Sequence, residues 1–171
     1  MNIHKDNPMF QDYDLIRKIA QKLNPKFQII EFVLVLLIII ITALKFLSSL
    51  YVNPILVMSI GLLSTLYFIM GFAIDDYLKE NGMLVYLGKL SSWGLSFLVL
   101  GFLFTLNHFP NSTMMLNMGT LASILSLIFA LFIKKEDEKI SKFLQSIFIR
   151  NLLYGSIGVV LILQQHQIIS F

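Results

Sequence analysis

Runs of about 20 apolar residues, the length that crosses about 30 Å of hydrocarbon, recur along this chain with the charged residues confined between them. A soluble core helix is rarely that long and apolar on every side, so lipid is the solvent this pattern demands. The runs cover residues 29–50, 54–74, 91–106, 113–133 and 147–163, which predicts an all-α polytopic membrane bundle of about five transmembrane helices. Composition points the same way: of 171 residues, 57% are hydrophobic and 13% charged, with a mean hydropathy of +0.79. Soluble domains average about 45–50% apolar and about 25% charged. The fifth run is the weakest, because Arg150 and Asn151 interrupt its start, and a re-entrant or interfacial segment is the alternative reading there.

Residues 1–28 read as a cytoplasmic leader and 29–171 as the bundle. No cleavable secretory signal is expected, since the first apolar run follows a charged leader and far outlasts a signal peptide's apolar stretch. Within the leader, Leu15, Ile16, Ile19 and Leu23 share one helical face, with Arg17, Lys18 and Lys22 elsewhere and Asn24-Pro25 as a stop. That pattern predicts a short amphipathic helix over 12–23 on the membrane surface.

Orientation follows from Lys and Arg. Lys5, Arg17, Lys18, Lys22 and Lys26 lie in the leader, Lys79 and Lys89 between the second and third runs, and Lys134, Lys135, Lys139 and Lys142 between the fourth and fifth. The opposite links hold Lys45 alone. A cytoplasmic N-terminus, an inner-membrane location and a C-terminal segment outside are expected. The net charge of +3 is then a topological signal rather than one for nucleic acid, which is not expected as a partner. Arg17, Lys18, Lys22, Lys45 and Arg150 are assigned to the interface or to lipid headgroups, with Lys45 and Arg150 on opposite sides, each snorkelling to its own surface.

The hairpins 29–75 and 91–133 align without a gap as tandem parallel repeats: Phe46 falls on Phe104, Tyr51 on Phe109, Asn53 on Asn111, Gly61 on Gly119 and Leu63 on Leu121. Gly61 precedes Thr65 by four residues and Gly119 precedes Ser123 by four, so each second helix carries a small pair that allows close helix approach. Asn117 falls where the first hairpin has Ser59, and an amide there is expected to seek a partner across a helix interface.

The run Gly101-Phe-Leu-Phe-Thr-Leu-Asn-His-Phe-Pro-Asn111, followed by Met114-Met-Leu-Asn-Met-Gly119, resembles the transmembrane hairpin of the gliding-motility GldL family and related small membrane proteins of Bacteroidota. Those hairpins typically read Phe-Lys-x-x-His-Trp-Pro-Gly. Phe104, His108 and Pro110 match, Phe109 replaces Trp, Asn111 replaces Gly, and Thr105 stands where Lys is expected. The resemblance implies kinship of hairpin shape. The buried carboxylate of the family's motor proteins has no counterpart in Thr120-Leu-Ala-Ser123, so motor activity is not implied.

Chemistry-bearing patterns are sparse. The acids lie outside the hydrophobic centres, with Glu31 nearest and expected at headgroup level. Without Cys there are no disulfides or thiolate sites, and His108 with His166 makes a poor metal set. Asn111-Ser112-Thr113 fits a glycosylation acceptor but reads better as a turn, with Asn111 or Ser112 capping the next helix. No phosphate loop, nucleophile elbow or His-Glu-x-x-His occurs, so no catalytic, cofactor or metal residues are assigned. The leading expectation is a non-enzymatic scaffold or assembly subunit that packs with copies of itself or with other membrane subunits. A small transporter or channel subunit with Asn117, Ser59 and Asn151 along a polar path is the first alternative, and an energy-coupling subunit of a motility or secretion complex the second.

Overall fold

The structure is a computed structural model that describes residues 8–47, 53–77, 82–133 and 137–165. Every element in it is helical: α1 (Pro8–Leu23), a 3₁₀ turn (Asn24–Lys26), α2 (Phe27–Leu47), α3 (Asn53–Tyr77), α4 (Gly82–Leu106), α5 (Ser112–Phe132) and α6 (Glu138–Gln165). Five helical segments are long and apolar enough to cross a membrane, which makes this an all-α, multi-pass bundle. The helices outrun the apolar stretches that announce them: α4 starts at Gly82 rather than 91, and α6 at Glu138 rather than 147. Hydropathy marks where hydrocarbon begins, whereas a formed helix gains a hydrogen bond for each further residue and continues through the headgroup layer.

Helix α6 spans the whole bundle. At one end its Phe143 lies against Gly88 of α4. At the other, Gln165 receives a hydrogen bond from Thr113 Oγ1 at 2.9 Å and donates to Thr105 Oγ1 at 3.2 Å, beside the α4–α5 turn. The fifth run therefore belongs to one unbroken helix, long and apolar enough to cross a membrane.

Helix α4 is the hub, packed against α3, α5 and α6. Its approach to α5 is set by small residues: an added Cβ at Gly119 would fall on the Leu98 backbone, and one at Gly94 would lie 2.6 Å from Ala122 Cβ. Ser123 is fully buried with Gly155 of α6 alongside, so the Gly119–Ser123 pair is used inside the chain. Gly61 differs: a Cβ there would meet nothing within 4 Å, and Thr65 is exposed with its hydroxyl bonded to the Gly61 carbonyl at 2.9 Å. Positions equivalent in the sequence alignment therefore face opposite surroundings.

Helix α2 lies outermost, resting on α3, with 11% of its apolar window buried against 56% for α4. Helix α1 also rests on α3 and buries Ala20 completely. The predicted apolar stripe of α1 is split, since Ile16 and Leu23 are half-buried while Leu15 and Ile19 stay exposed. Arg17 is half-buried, and Lys18 and Lys22 are exposed.

The α4–α5 turn gives the hairpin residues a physical role. His108 takes the left-handed conformation (φ 55°), its N–H bonds Thr105 O at 3.2 Å, and Phe109 N–H bonds Phe104 O at 2.8 Å. This is a Schellman C-cap, completed by edge-on contact of Phe104 and Phe109 at 5.5 Å and by Pro110, which cannot continue the helix. Asn111 is the N-cap of α5 with φ 64°, but its side chain makes no capping bond, and Ser112 is already the first helical residue. The expected side-chain cap is thus replaced by backbone geometry, with the Asn111 carbonyl accepting Met115 N–H at 3.2 Å. Asn tolerates φ above zero better than most residues, which fits it to this position. The corresponding first turn and the side chains of Phe46 and Lys45 lie outside the described residues, as does His166.

Gly119→Ala is expected to lower the unfolding midpoint in detergent by an amount equivalent to about 1–3 kcal/mol of overpacking. Gly61→Ala should leave the monomer's midpoint unchanged, and thermal melts of the two variants side by side test the contrast.

Candidate functional site

Opposite charges on α2 and α6 meet at the edges of their apolar runs. Glu31 sits in the second turn of α2 and Arg150 near the middle of α6, 119 positions apart in sequence. Arg150 Nε donates to Glu31 Oε1 at 2.8 Å and Oε2 at 2.9 Å, and its Nη2 reaches Oε2 at 2.7 Å. The guanidinium is satisfied further by Nη1 donating to Ser146 Oγ at 2.7 Å and by stacking 4.7 Å from the Phe27 ring centroid. Tyr67 of α3 donates its hydroxyl to Glu31 Oε1 at 2.5 Å. Its ring packs edge-on to both Phe27 and Tyr154, each at 5.9 Å.

The side chains of Arg150 and Glu31 are 22% and 12% exposed, so their attraction is weakly screened and each would be costly to leave alone. Lys142 and Glu138 on the same α6 lie 2.7 Å apart but are 75% and 82% exposed, and such i,i+4 pairs contribute little. The buried pair governs the site.

Beside Arg150 lies a cavity of about 440 Å³ walled by the N-terminal end of α2, by α3, α4 and α6. Phe27, Met70, Leu95, Phe143 and Ile147 give it apolar walls, while Gln28, Ser92, Ser146, Lys142 and Arg150 give it polar ones. A second, more open recess shares Gln28, Lys142, Ser146 and Arg150 and is completed by Gln145 and Ile149, both exposed on the outside of α6. On the α4 side, Asn151 is fully buried; its amide donates to Ser91 Oγ at 2.6 Å and to Ile147 O at 2.9 Å, and its Oδ1 is unpartnered.

Several sequence assignments change here. Arg150 does not stand alone but pairs with Glu31, and the Glu31 side chain is largely buried among the helices rather than free. Both belong to the cytoplasmic half of the predicted topology, so the pairing was within reach of the sequence. Asn117 is exposed on the outer face of α5, Ser59 is buried and bonds its own helix at Ile55 O at 2.8 Å, and Asn151 binds Ser91, so these three do not line one path. Tyr67, Tyr154, Phe27 and Ser146 went unnoticed. Two Tyr hydroxyls in otherwise apolar runs were the available signal, because a phenol buried in hydrocarbon needs a partner.

The fold and this site define a multi-pass membrane helix bundle with a buried ion pair beside a partly polar cavity. The chain matches no family model, and it matches no curated protein and no solved structure.

A double-mutant cycle of Glu31→Gln and Arg150→Gln, read by chemical or thermal unfolding in detergent, is expected to give a coupling energy of about 1–3 kcal/mol. The same cycle on Glu138 and Lys142 should give about 0.3–0.5 kcal/mol.

Proposed function

We propose that this chain is a non-catalytic subunit of the cytoplasmic membrane that receives a ligand from the cytoplasmic side in the cavity lined by Arg150, the partner of Glu31. The observation that carries this reading is the ion-paired, largely buried Arg150 at the cavity wall. Ionisable groups within membrane spans are costly and mark ligand or ion paths far more often than they serve packing alone. The lining supports it as well, being largely apolar with a few convergent polar groups, the usual make-up of a binding cleft. The distribution of Lys and Arg supports a cytoplasmic N-terminus, which puts the cavity mouth, beside Lys142 and Asn24, on that side.

Assembly with other membrane helices is a second reading, favoured by the outward-facing Gly61–Thr65 pair and the exposed Asn117 amide. In lipid, both features favour a neighbouring helix over acyl chains. If the two hairpins are duplicated units, the second has kept its small pair for its own packing and the first has left its pair for a partner.

Because the chain has no Cys, single-Cys variants test the first reading directly. Ser92→Cys should react with a membrane-impermeant maleimide in inside-out vesicles only, and Asn117→Cys in neither orientation. An unreactive Ser92→Cys would remove the cavity from consideration. For the second reading, Gly61→Leu should shift the detergent-solubilised complex to smaller size, and an unchanged size would count against assembly through α3.

A further inference from the structure

We infer that the cavity binds the phosphate of an anionic phospholipid from the cytoplasmic leaflet, with Arg150 exchanging the Glu31 carboxylate for the lipid phosphate. The inference rests on the cavity reading above and adds the chemical class of the ligand and the group that recognises it.

Arg150 already shows the geometry that phosphate recognition uses, a guanidinium fork holding Oε1 through Nε and Oε2 through Nη2. Glu31 therefore acts as an internal stand-in for an anion. When released it keeps the hydrogen bond from Tyr67 on Oε1, while Oε2 gives up its two Arg150 donors, a loss the incoming phosphate has to outweigh. A second cation stands at the rim: Lys142 lines both the cavity and the outer recess, and its bond to the exposed Glu138 is weak enough to be given up. Gln28 and Ser146 line both spaces too, offering an amide and a hydroxyl to a glycerol headgroup.

The bilayer, rather than the cytosol, is the source the shape favours. The outer recess lies between α2 and α6 and includes Ile149, which is 54% exposed on the lipid-facing side of α6. Arg150 lines both this recess and the inner cavity. A headgroup can thus occupy the polar volume while its acyl chains remain in the bilayer beside α2, the helix least held by the rest of the bundle. A soluble phosphate would gain nothing from that lateral opening.

The test uses the full chain in phosphatidylcholine nanodiscs, with Ser92→Cys as reporter and dioleoylphosphatidylglycerol as probe, bound lipid being counted by native mass spectrometry. One phosphatidylglycerol per chain is expected, with slowed maleimide labelling of Ser92→Cys. Arg150→Gln should weaken binding about tenfold or more, the loss of a charged hydrogen-bonded pair. Glu31→Gln should strengthen it several-fold by freeing the guanidinium. Lys142→Gln, an exposed position where folding is not in question, should weaken it by a smaller factor. Equal losses in Glu31→Gln and Arg150→Gln would overturn the exchange and leave the pair purely structural. Equal binding of phosphatidylcholine, or equal protection by inorganic phosphate, would overturn the anionic-lipid assignment. Labelling without protection by phosphatidylglycerol would sink this inference while sparing the cavity, whereas a Ser92→Cys that never labels would defeat the cavity reading itself.

Discussion

Apolar side chains gain almost nothing by leaving lipid for one another, so a membrane bundle is held where backbones come close enough for dense packing and hydrogen bonds. In this protein those places are Gly94 against Ala122 and Gly119 against Leu98, where α4 meets α5, and Gly155 and Gly158 against Ser123 and Thr120, where α5 meets α6. Hydrogen bonds join the same helices: Ser64 pairs with Ser96 at 2.9 Å between α3 and α4, and Asn151 with Ser91 between α6 and α4. Helices α3 to α6 thus form a dense block. Helix α2, without a comparable run of small residues, stays at its edge.

The position of α2 explains why an ion pair is needed and why a cavity exists. Resting on α3 alone would leave α2 free to roll, and the Arg150 side chain reaches across from α6 to fix it through Glu31. Because that link is a long side chain rather than a packed interface, it holds two helices at a distance. The gap between them is filled by Tyr67 and Tyr154 on one side and stays open toward the α2 N-terminal end on the other. Anchor and opening share one cause.

Much of the fold was legible in the residues, and the hairpin between α4 and α5 shows why. Phe104, His108, Phe109 and Pro110 lie close together in the chain, and a Schellman cap is a local structure whose donors and acceptors lie within six residues, so its signature survives in sequence alone. The small pairs were less legible. Gly61 with Thr65 and Gly119 with Ser123 look alike, yet one faces outward and the other is sealed between helices. Spacing says which residues share a face, but not what that face meets.

The sequence by itself determined the membrane-spanning, all-helical character of the chain and the approximate place of each span. Those properties depend on hydropathy and backbone satisfaction within single segments. Only the tertiary structure decided that Glu31 and Arg150 meet, that Tyr67 joins them, that Asn117 faces outward, and that a cavity remains between α2 and α6. Each of these depends on the rotation of one helix about its axis relative to another. In a span that is apolar all round, no amphipathic stripe records that rotation.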